Sequence, residues 1–109
     1  MASEAELAWA AGLFEGEGSI GIDRRTSRHG SLRLQIGMCD EEVLCRFKDV
    51  VGIGNVTGPY QHKGGVEKGW SPFWAWSITG RRAEACIELL RPWLSTRRQT
   101  RLNEALCAD

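Results

Sequence analysis

The sequence predicts an α+β domain in which one four-stranded antiparallel sheet carries its helices on one face. Its 109 residues are about the size of one domain. A hydrophobic fraction of 42% and a charged fraction of 26% are typical of a globular protein. The apolar pattern switches between helical and strand periods in the order α-β-β-α-β-β-α-α. Two hairpins interleaved with helices pack most simply as one sheet covered on one side.

The first predicted helix spans Glu4–Phe14. Ser3 can cap it, with Glu6 three residues later, which is the pattern of a capping box. Gly16 and Gly18 follow the last apolar residue and are expected to end the helix.

A hairpin is predicted directly after this helix. Ser19–Thr26 and Ser31–Met38 alternate apolar and polar residues, and the polar turn Ser27–Gly30 separates them. The side chains predicted on the outward face of the hairpin are Asp23, Arg25, Ser31, Arg33 and Gln35.

The remainder of the chain predicts a helix, a second strand pair and two further helices. Asp40 and Gly52 bound the first of these helices, Pro92 ends the second, and Thr96 caps the last. The predicted ranges are Asp40–Val51, Ile53–Tyr60, Ser71–Thr79, Arg81–Leu90 and Arg97–Leu106, with a loop at Gln61–Gly69.

Cysteine spacing and the N-terminal residues indicate an intracellular protein without structural disulfides or zinc. Cys39, Cys45, Cys86 and Cys107 form no CxxC pair. Cys45 and Cys86 fall in apolar helical patterns and are predicted to be buried free thiols. The N-terminus lacks a basic region before its apolar residues, and no apolar run is long enough to cross a membrane. A cytoplasmic location is expected, with no membrane partner and no small-molecule substrate.

Charge is balanced in total but segregated along the chain. The net charge is zero, yet residues 1–17 carry four glutamates and no basic residue, while residues 81–101 carry six arginines and two glutamates. A chain of this kind can still present a basic face. The polar outer face of the sheet therefore suits either plain solvent or a large ligand such as duplex DNA.

The segment Ala10–Gly18, AAGLFEGEG, places Glu15 and Glu17 at the end of a helix. The negative end of the helix dipole disfavours acids there, and a bound cation would compensate. Carboxylate and carbonyl oxygens are ligands that Mg²⁺ prefers. The alternative is a solvated acidic turn.

Small residues on the same helix allow close packing. Ala8, Ala11 and Gly12 are spaced so that a second helix can approach the backbone. Tight packing on the chain's own sheet is the alternative.

Ala10–Gly18, followed by Ser19 and Ile20, resembles the LAGLIDADG motif that names a family of homing endonucleases. The predicted order of elements resembles the core of that family, and Leu89–Leu102 resembles its segment after the third helix. The resemblance implies a homing-endonuclease-like α-β-β-α-β-β-α core with a saddle-like sheet. It also implies site-specific cleavage of double-stranded DNA by metal-dependent hydrolysis with Mg²⁺ or Mn²⁺. Because the chain has one motif, it implies a homodimer through the motif helix and a palindromic or nearly palindromic target.

The resemblance assigns roles to the end of the first helix. Glu17 would bind the metal and act in catalysis, with the carbonyl oxygen of Gly16 as a further ligand, and Glu15 would be structural. Arg97 would polarise the scissile phosphate. The residues implied at the dimer interface are Ala8, Ala11 and Gly12.

The resemblance also directs the outward strand residues toward DNA. Arginine pairs favourably with guanine, and Gln or Asn with adenine. The residues expected at base edges and along the hairpin are Asp23, Arg25, Ser31, Arg33, Gln35, Asn55 and Thr57. Those expected at phosphates are Arg24, Arg28, His62, Lys63 and Lys68. Trp74 and Trp76 are expected to pack in the core, with Phe73 facing DNA.

Two departures from the family pattern keep a second function open. Both usual aspartates are glutamates, and Met38 stands where a polar residue is often found. The alternative is a non-cleaving module of the same fold that binds DNA or assists RNA splicing.

Overall fold

A computed structural model describes residues 2–25 and 30–107 and confirms the α+β architecture. The order of elements is the predicted one, with a short 3₁₀ turn at Arg91–Trp93 before the last helix. The elements are α1 (Glu4–Glu17), β1 (Gly18–Asp23), β2 (Ser31–Met38), α2 (Glu41–Val51), β3 (Asn55–Tyr60), β4 (Phe73–Thr79), α3 (Arg81–Leu90) and α4 (Thr96–Leu106).

The four strands form one antiparallel sheet in the order β1-β2-β4-β3. Gln35 of β2 lies opposite Ser19 on one side and Ser77 on the other. Because strand side chains alternate between faces, this register puts the polar residues of all three strands on one face. The apolar residues face the helices.

The core lies between the inner face of the sheet and α1, α2 and α3. Leu34, Trp76, Phe14 and Phe47 are fully buried there. The Phe47 and Trp76 rings meet edge to face with centroids 4.7 Å apart. The Trp76 indole N–H donates to the Ile53 carbonyl oxygen at 3.0 Å, so burial leaves this polar group satisfied.

The Trp76 indole also explains a glycine before β3. Gly54 has φ +100°, and a Cβ there would overlap the indole ring. Only glycine combines this backbone angle with so close an approach.

Several predicted boundaries change in the structure. α1 continues to Glu17 because Gly16 is accommodated within the helix, and Gly18 forms its cap. β1 begins at Gly18 and ends at Asp23. Thr26 of the predicted strand and residues 27–29 of the predicted turn Ser27–Gly30 lie outside the described residues.

The cap of α4 is Ser95, so the prediction of Thr96 as the cap is wrong. Ser95 has extended backbone angles, and its hydroxyl accepts a hydrogen bond from the Arg98 N–H at 3.2 Å. Thr96 is already the first helical residue.

The cysteine predictions are half right. Cys86 is buried on α3, and burial raises the pKa of its thiol to about 12. Cys45 is exposed on α2, because its apolar neighbours Leu44 and Phe47 take the inward positions. None of the helices in the described ranges has the length and hydropathy that a membrane crossing requires.

Candidate catalytic and nucleic-acid-binding site

The end of α1 is joined to the start of α4 through the Glu15 carboxylate. Ser95 donates to it twice, from its N–H to Oε1 at 2.8 Å and from its hydroxyl to Oε2 at 2.8 Å. The backbone hydrogen bond from Ser95 is the largest cause that lowers the pKa of Glu15, followed by the hydroxyl bond and then Arg98 and Arg97. Glu15 therefore holds two helices together, in the structural role that the motif resemblance implied.

Two arginines of α4 donate hydrogen bonds to backbone carbonyl oxygens at the junction between α1 and β1. Arg98 donates from Nη2 to the carbonyl oxygen of Glu15 at 3.0 Å, and Arg101 donates from Nε to that of Ile20 at 3.2 Å. Arg98 is only 13% exposed, and its buried Nε lies 3.8 Å from Glu15 Oε2, too far for a hydrogen bond. These contacts fix α4 beside the end of the motif helix.

Arg97 lies at the same junction but faces solvent. Its Nη2 is 3.8 Å from Glu15 Oε2, and its side chain is 75% exposed. Such an exposed ion pair contributes little to stability. The Arg97 guanidinium is thus available to a ligand that approaches the end of α1.

Glu17 has a different environment from Glu15. It is exposed at the last position of α1, and among the described residues no hydrogen bond or ion pair involves its carboxylate. The last turn of α1 contains no basic residue. An unpaired carboxylate at the negative end of a helix provides oxygen ligands that suit a divalent cation.

The described part of one chain does not supply a complete metal site. Within it, no group of three or more His, Cys, Asp or Glu side chains is placed to hold a metal ion. Glu17 and the adjacent Gly16 carbonyl would therefore be part of a larger ligand set.

The exposed face of α1 contains small residues. Gly12 and Gly16 are exposed, and beyond the adjoining helix backbone a Cβ built on either would meet no atom of residues 2–25 and 30–107 within 4 Å. Ala8 is half-buried on the same side. Ala11 is fully buried in the chain's own core, so its predicted place at a helix–helix interface is wrong. Ala11 precedes Gly12 by one residue, and this step along the helix turns its side chain away from the exposed face.

The outer face of the sheet forms an open groove of about 370 Å³. Arg33 and Gln35 of β2 line it together with Thr57 of β3. Arg25, which follows β1, reaches the same groove. The DNA contacts of these residues stay predictions, but the structure brings their side chains together.

Asp23 lies on this face but is not an exposed contact residue, so that part of the prediction is wrong. It is 6% exposed because Arg25 covers it. The Ser31 hydroxyl, predicted to face DNA, lies 3.5 Å from the Asp23 carbonyl oxygen. The hydrogen bonds from Arg25 lower the pKa of Asp23 to about 2, so it stays ionised.

The residues predicted at phosphates lie in the segments that follow β1 and β3. Arg24 is exposed after β1, and Lys63 and Lys68 are exposed on the loop after β3. Arg28 lies outside the described residues. His62 stacks on Phe73 with centroids 4.5 Å apart.

Three groove residues with polar side chains were not predicted from the sequence. Ser77 and Thr79 of β4 and Tyr60 of β3 line the groove. The alternation of β4 could have identified the first two, because Ser77 and Thr79 occupy positions opposite in phase to Trp74 and Trp76. Asn55 pairs with Ser77 in the sheet register, which puts it on this face as predicted.

No protein-family model matches the sequence, and no curated protein matches it significantly. Several solved structures, in contrast, have a similar fold. The group I intron-encoded homing endonuclease I-CeuI, complexed with DNA, is similar with a TM-score of 0.70 at 16% identity, over 97% of this chain and 54% of that chain.

Two further solved structures show the same likeness. The homing endonuclease I-CvuI, in complex with its target in the presence of Ca, has a TM-score of 0.67 at 18% identity, over 89% of this chain and 61% of that chain. The LAGLIDADG meganuclease I-CpaMI, bound to uncleaved DNA, has a TM-score of 0.60 at 19% identity, over 89% of this chain and 34% of that chain.

The chain therefore has the fold of the LAGLIDADG homing endonucleases. It spans between about a third and three fifths of the length of these proteins. The element that carries the motif, α1, is the one that ends in Glu17.

Proposed function

We propose that the chain is one subunit of a site-specific, metal-dependent DNA endonuclease that acts as a homodimer. The observation that carries the proposal is the Glu17 carboxylate at the end of α1, which has no partner in the described part of the chain, together with a sheet whose outer face is an open polar groove. The fold shared with DNA-bound homing endonucleases supports it.

Glu17 and the carbonyl oxygen of Gly16 would hold the divalent metal. A bound metal of this kind lowers the pKa of its water and polarises a phosphoryl oxygen. One chain lacks a full ligand set in its described residues, so Glu17 of a second copy and the DNA phosphate would supply further oxygen ligands.

Arg97 would bind the phosphate beside the metal. Its exposed guanidinium lies at the junction that Glu15 and Ser95 fix, so its position relative to Glu17 is set by the fold. A cation placed there stabilises negative charge on the phosphoryl oxygens as the bond to the leaving oxygen breaks.

The exposed face of α1 would form the dimer contact. Gly12 and Gly16 carry no side chain, and Ala5 and Ala8 lie on the same side. Two copies of such a helix can approach closely across a two-fold axis. This symmetry predicts a palindromic or nearly palindromic target.

The first test is the substitution Glu17→Gln, which keeps the shape of the side chain and removes its charge. DNA cleavage is expected to fall by about 100-fold or more, since loss even of a residue that only supports a metal ligand costs about 10- to 100-fold. DNA affinity measured in Ca²⁺ is expected to stay within about threefold of wild type. Glu4→Gln, at the other end of α1, is the matched control and should cleave normally.

Normal cleavage by Glu17→Gln would overturn the proposed role of this carboxylate. Wild-type protein that binds a defined DNA site but never nicks it, in Mg²⁺ or Mn²⁺, would identify the second candidate, a non-cleaving binding module. One observation favours that candidate: Met38 is half-buried and packs against the core at a position where the family often has a polar residue.

A further inference from the structure

Asp23 and Arg25 form a pair at the outer end of β1. Asp23 Oδ1 accepts hydrogen bonds from the backbone N–H and the Nε–H of Arg25, at 2.9 and 3.0 Å. Oδ2 accepts from Arg25 Nη2 at 2.8 Å. Both carboxylate oxygens are engaged by one arginine, and the acid is 6% exposed.

The pair leaves a defined part of Arg25 available. The guanidinium is planar and has five N–H donors, of which Asp23 uses the Nε–H and one on Nη2. The Arg25 side chain is 78% exposed, and among the described residues its Nη1 has no partner. The remaining donors therefore lie along the Nη1–Nη2 edge, in an orientation that Asp23 fixes.

In a second pair in the same groove, an arginine again donates to the acceptor of a neighbouring side chain. Arg33 donates from Nη2 to Gln35 Oε1. A guanidinium has no acceptor, so this contact must engage the amide oxygen and leave the amide N–H donors of Gln35. In both pairs a protein arginine engages the acceptor group, and the polar groups left without a protein partner are mainly N–H donors.

We propose that Asp23 is a positioning residue that sets Arg25 to read guanine, and that this end of the groove selects guanine over adenine. The major-groove edge of guanine offers two acceptors, N7 and O6, whereas adenine offers the N7 acceptor and the N6 donor. A surface of donors matches guanine and opposes the adenine amino group. The inference rests on the proposed function of the groove as a DNA-binding face.

The same contacts revise the expectation for Gln35. Adenine is read by glutamine through both the amide oxygen and the amide nitrogen. Because Arg33 donates to Oε1, Gln35 presents its amide N–H donors, and we expect these to pair with an acceptor on a base edge instead.

The position of the guanine follows from the length of β1. Asp23 is five residues beyond Gly18, or about 17 Å along the strand. At about 3.4 Å per base pair, the selected guanine lies about five base pairs outward from the phosphate nearest Glu17.

The test is a binding selection from a randomised duplex library in Ca²⁺, with no requirement for cleavage. Wild-type protein is expected to enrich guanine at one outer position of each half-site. Asp23→Asn is expected to lower that preference about tenfold. It should also raise affinity for unrelated DNA, because it removes a negative charge.

Two further variants separate positioning from charge and folding. Arg25→Lys keeps the charge and a donor but loses the planar fork that Asp23 holds, so general affinity should stay and the guanine preference should weaken. In the Arg25→Gln background, Asp23→Asn should have no further effect on that position, since Asp23 acts through Arg25. Circular dichroism of each variant checks that it is folded.

Three results would overturn the inference, and they are distinguishable. An unchanged guanine preference in Asp23→Asn would show that Asp23 does not position Arg25. A uniform loss of affinity across all sequences in Arg25→Gln would identify a phosphate contact. If wild-type protein enriches no sequence at all, the proposed function fails, and this inference fails with it.

Discussion

Two glutamates at the end of α1 have different surroundings although one residue separates them. The Glu15 carboxylate accepts one hydrogen bond from Ser95 at each oxygen and lies near two arginines, while Glu17 has no partner among the described residues. A carboxylate engaged at both oxygens stabilises the fold and is less available to a metal. The unpartnered one retains its lone pairs, which is why the proposed metal site is assigned to Glu17.

The pH dependence of stability tests the role of Glu15. Its pKa is lowered in the folded protein, chiefly by the Ser95 N–H, so its contribution to stability is present above its ordinary pKa of 4.5 and is lost as the pH falls through the folded value. Glu15→Gln is therefore expected to melt about 5 °C lower than wild type at pH 7, for a loss of about 1 kcal/mol.

The difference in melting temperature between the two proteins should shrink as the pH falls from 5 through the lowered pKa of Glu15, because this residue then becomes neutral in wild type as well. Melting curves across this range measure it. Glu104→Gln, on the exposed surface of α4, controls for the change in net charge. A melting difference that does not vary with pH would contradict the role assigned to the Glu15 carboxylate.

At the scale of elements, α1 packs on the core with one side and leaves the other free. Its buried side consists of Ala10, Ala11 and Phe14. Phe14 also sets the way the chain leaves the helix, because its carbonyl oxygen accepts the Gly18 N–H and its ring lies beside Gly18. The last glycine of the motif is therefore required by packing.

Substitution of that glycine tests the packing directly. Gly18 has φ −81° and ψ 160°, which alanine adopts freely, so any cost is steric. A Cβ at Gly18 would lie 2.6 Å from the Phe14 carbonyl oxygen. Gly18→Ala is expected to lower the free energy of unfolding by about 2 kcal/mol in urea titrations. Gly16→Ala, in open space within the helix, should instead raise it by about 1 kcal/mol.

The sequence predicted elements best where local signals were strong. Alternation predicted β2 as Ser31–Met38, and Gly80 and Pro92 bounded α3, both as observed. The cap of α4 was missed because Ser95 and Thr96 are adjacent and equally suited by type. The bond from Ser95 to Glu15 joins residues 80 positions apart, and no local pattern reports such a contact.

At the scale of the whole molecule, zero net charge conceals a segregated surface. The arginines of α4 lie at the end of α1, and Arg25 and Arg33 lie in the groove. The acids nearest to Arg25 and Arg97, Asp23 and Glu15, are engaged in internal contacts. A neutral chain can therefore offer donors to an anionic partner at both places, with weaker nonspecific attraction than a basic protein would have.

The proposed homodimer predicts that one substitution stabilises the separate subunit and weakens its self-association. Gly12 is exposed in the interior of α1, and apart from the adjoining helix backbone a Cβ there meets no atom of the described residues within 4 Å. Gly12→Ala should therefore stabilise the separate subunit by about 1 kcal/mol through helix propensity. The same methyl would separate the two motif helices, and self-association is expected to weaken by about tenfold.

Sedimentation across a range of concentrations measures the association, and the melting temperature at the lowest concentration measures the subunit. Asn103→Ala on the exposed face of α4 is the matched control, because it raises helix propensity far along the chain from α1 and should leave association unchanged. DNA cleavage by Gly12→Ala should fall in proportion to the loss of dimer, since the proposed centre uses Glu17 from two copies. Unchanged association in Gly12→Ala would assign the exposed face of α1 to solvent and leave the single-motif chain without its proposed second carboxylate.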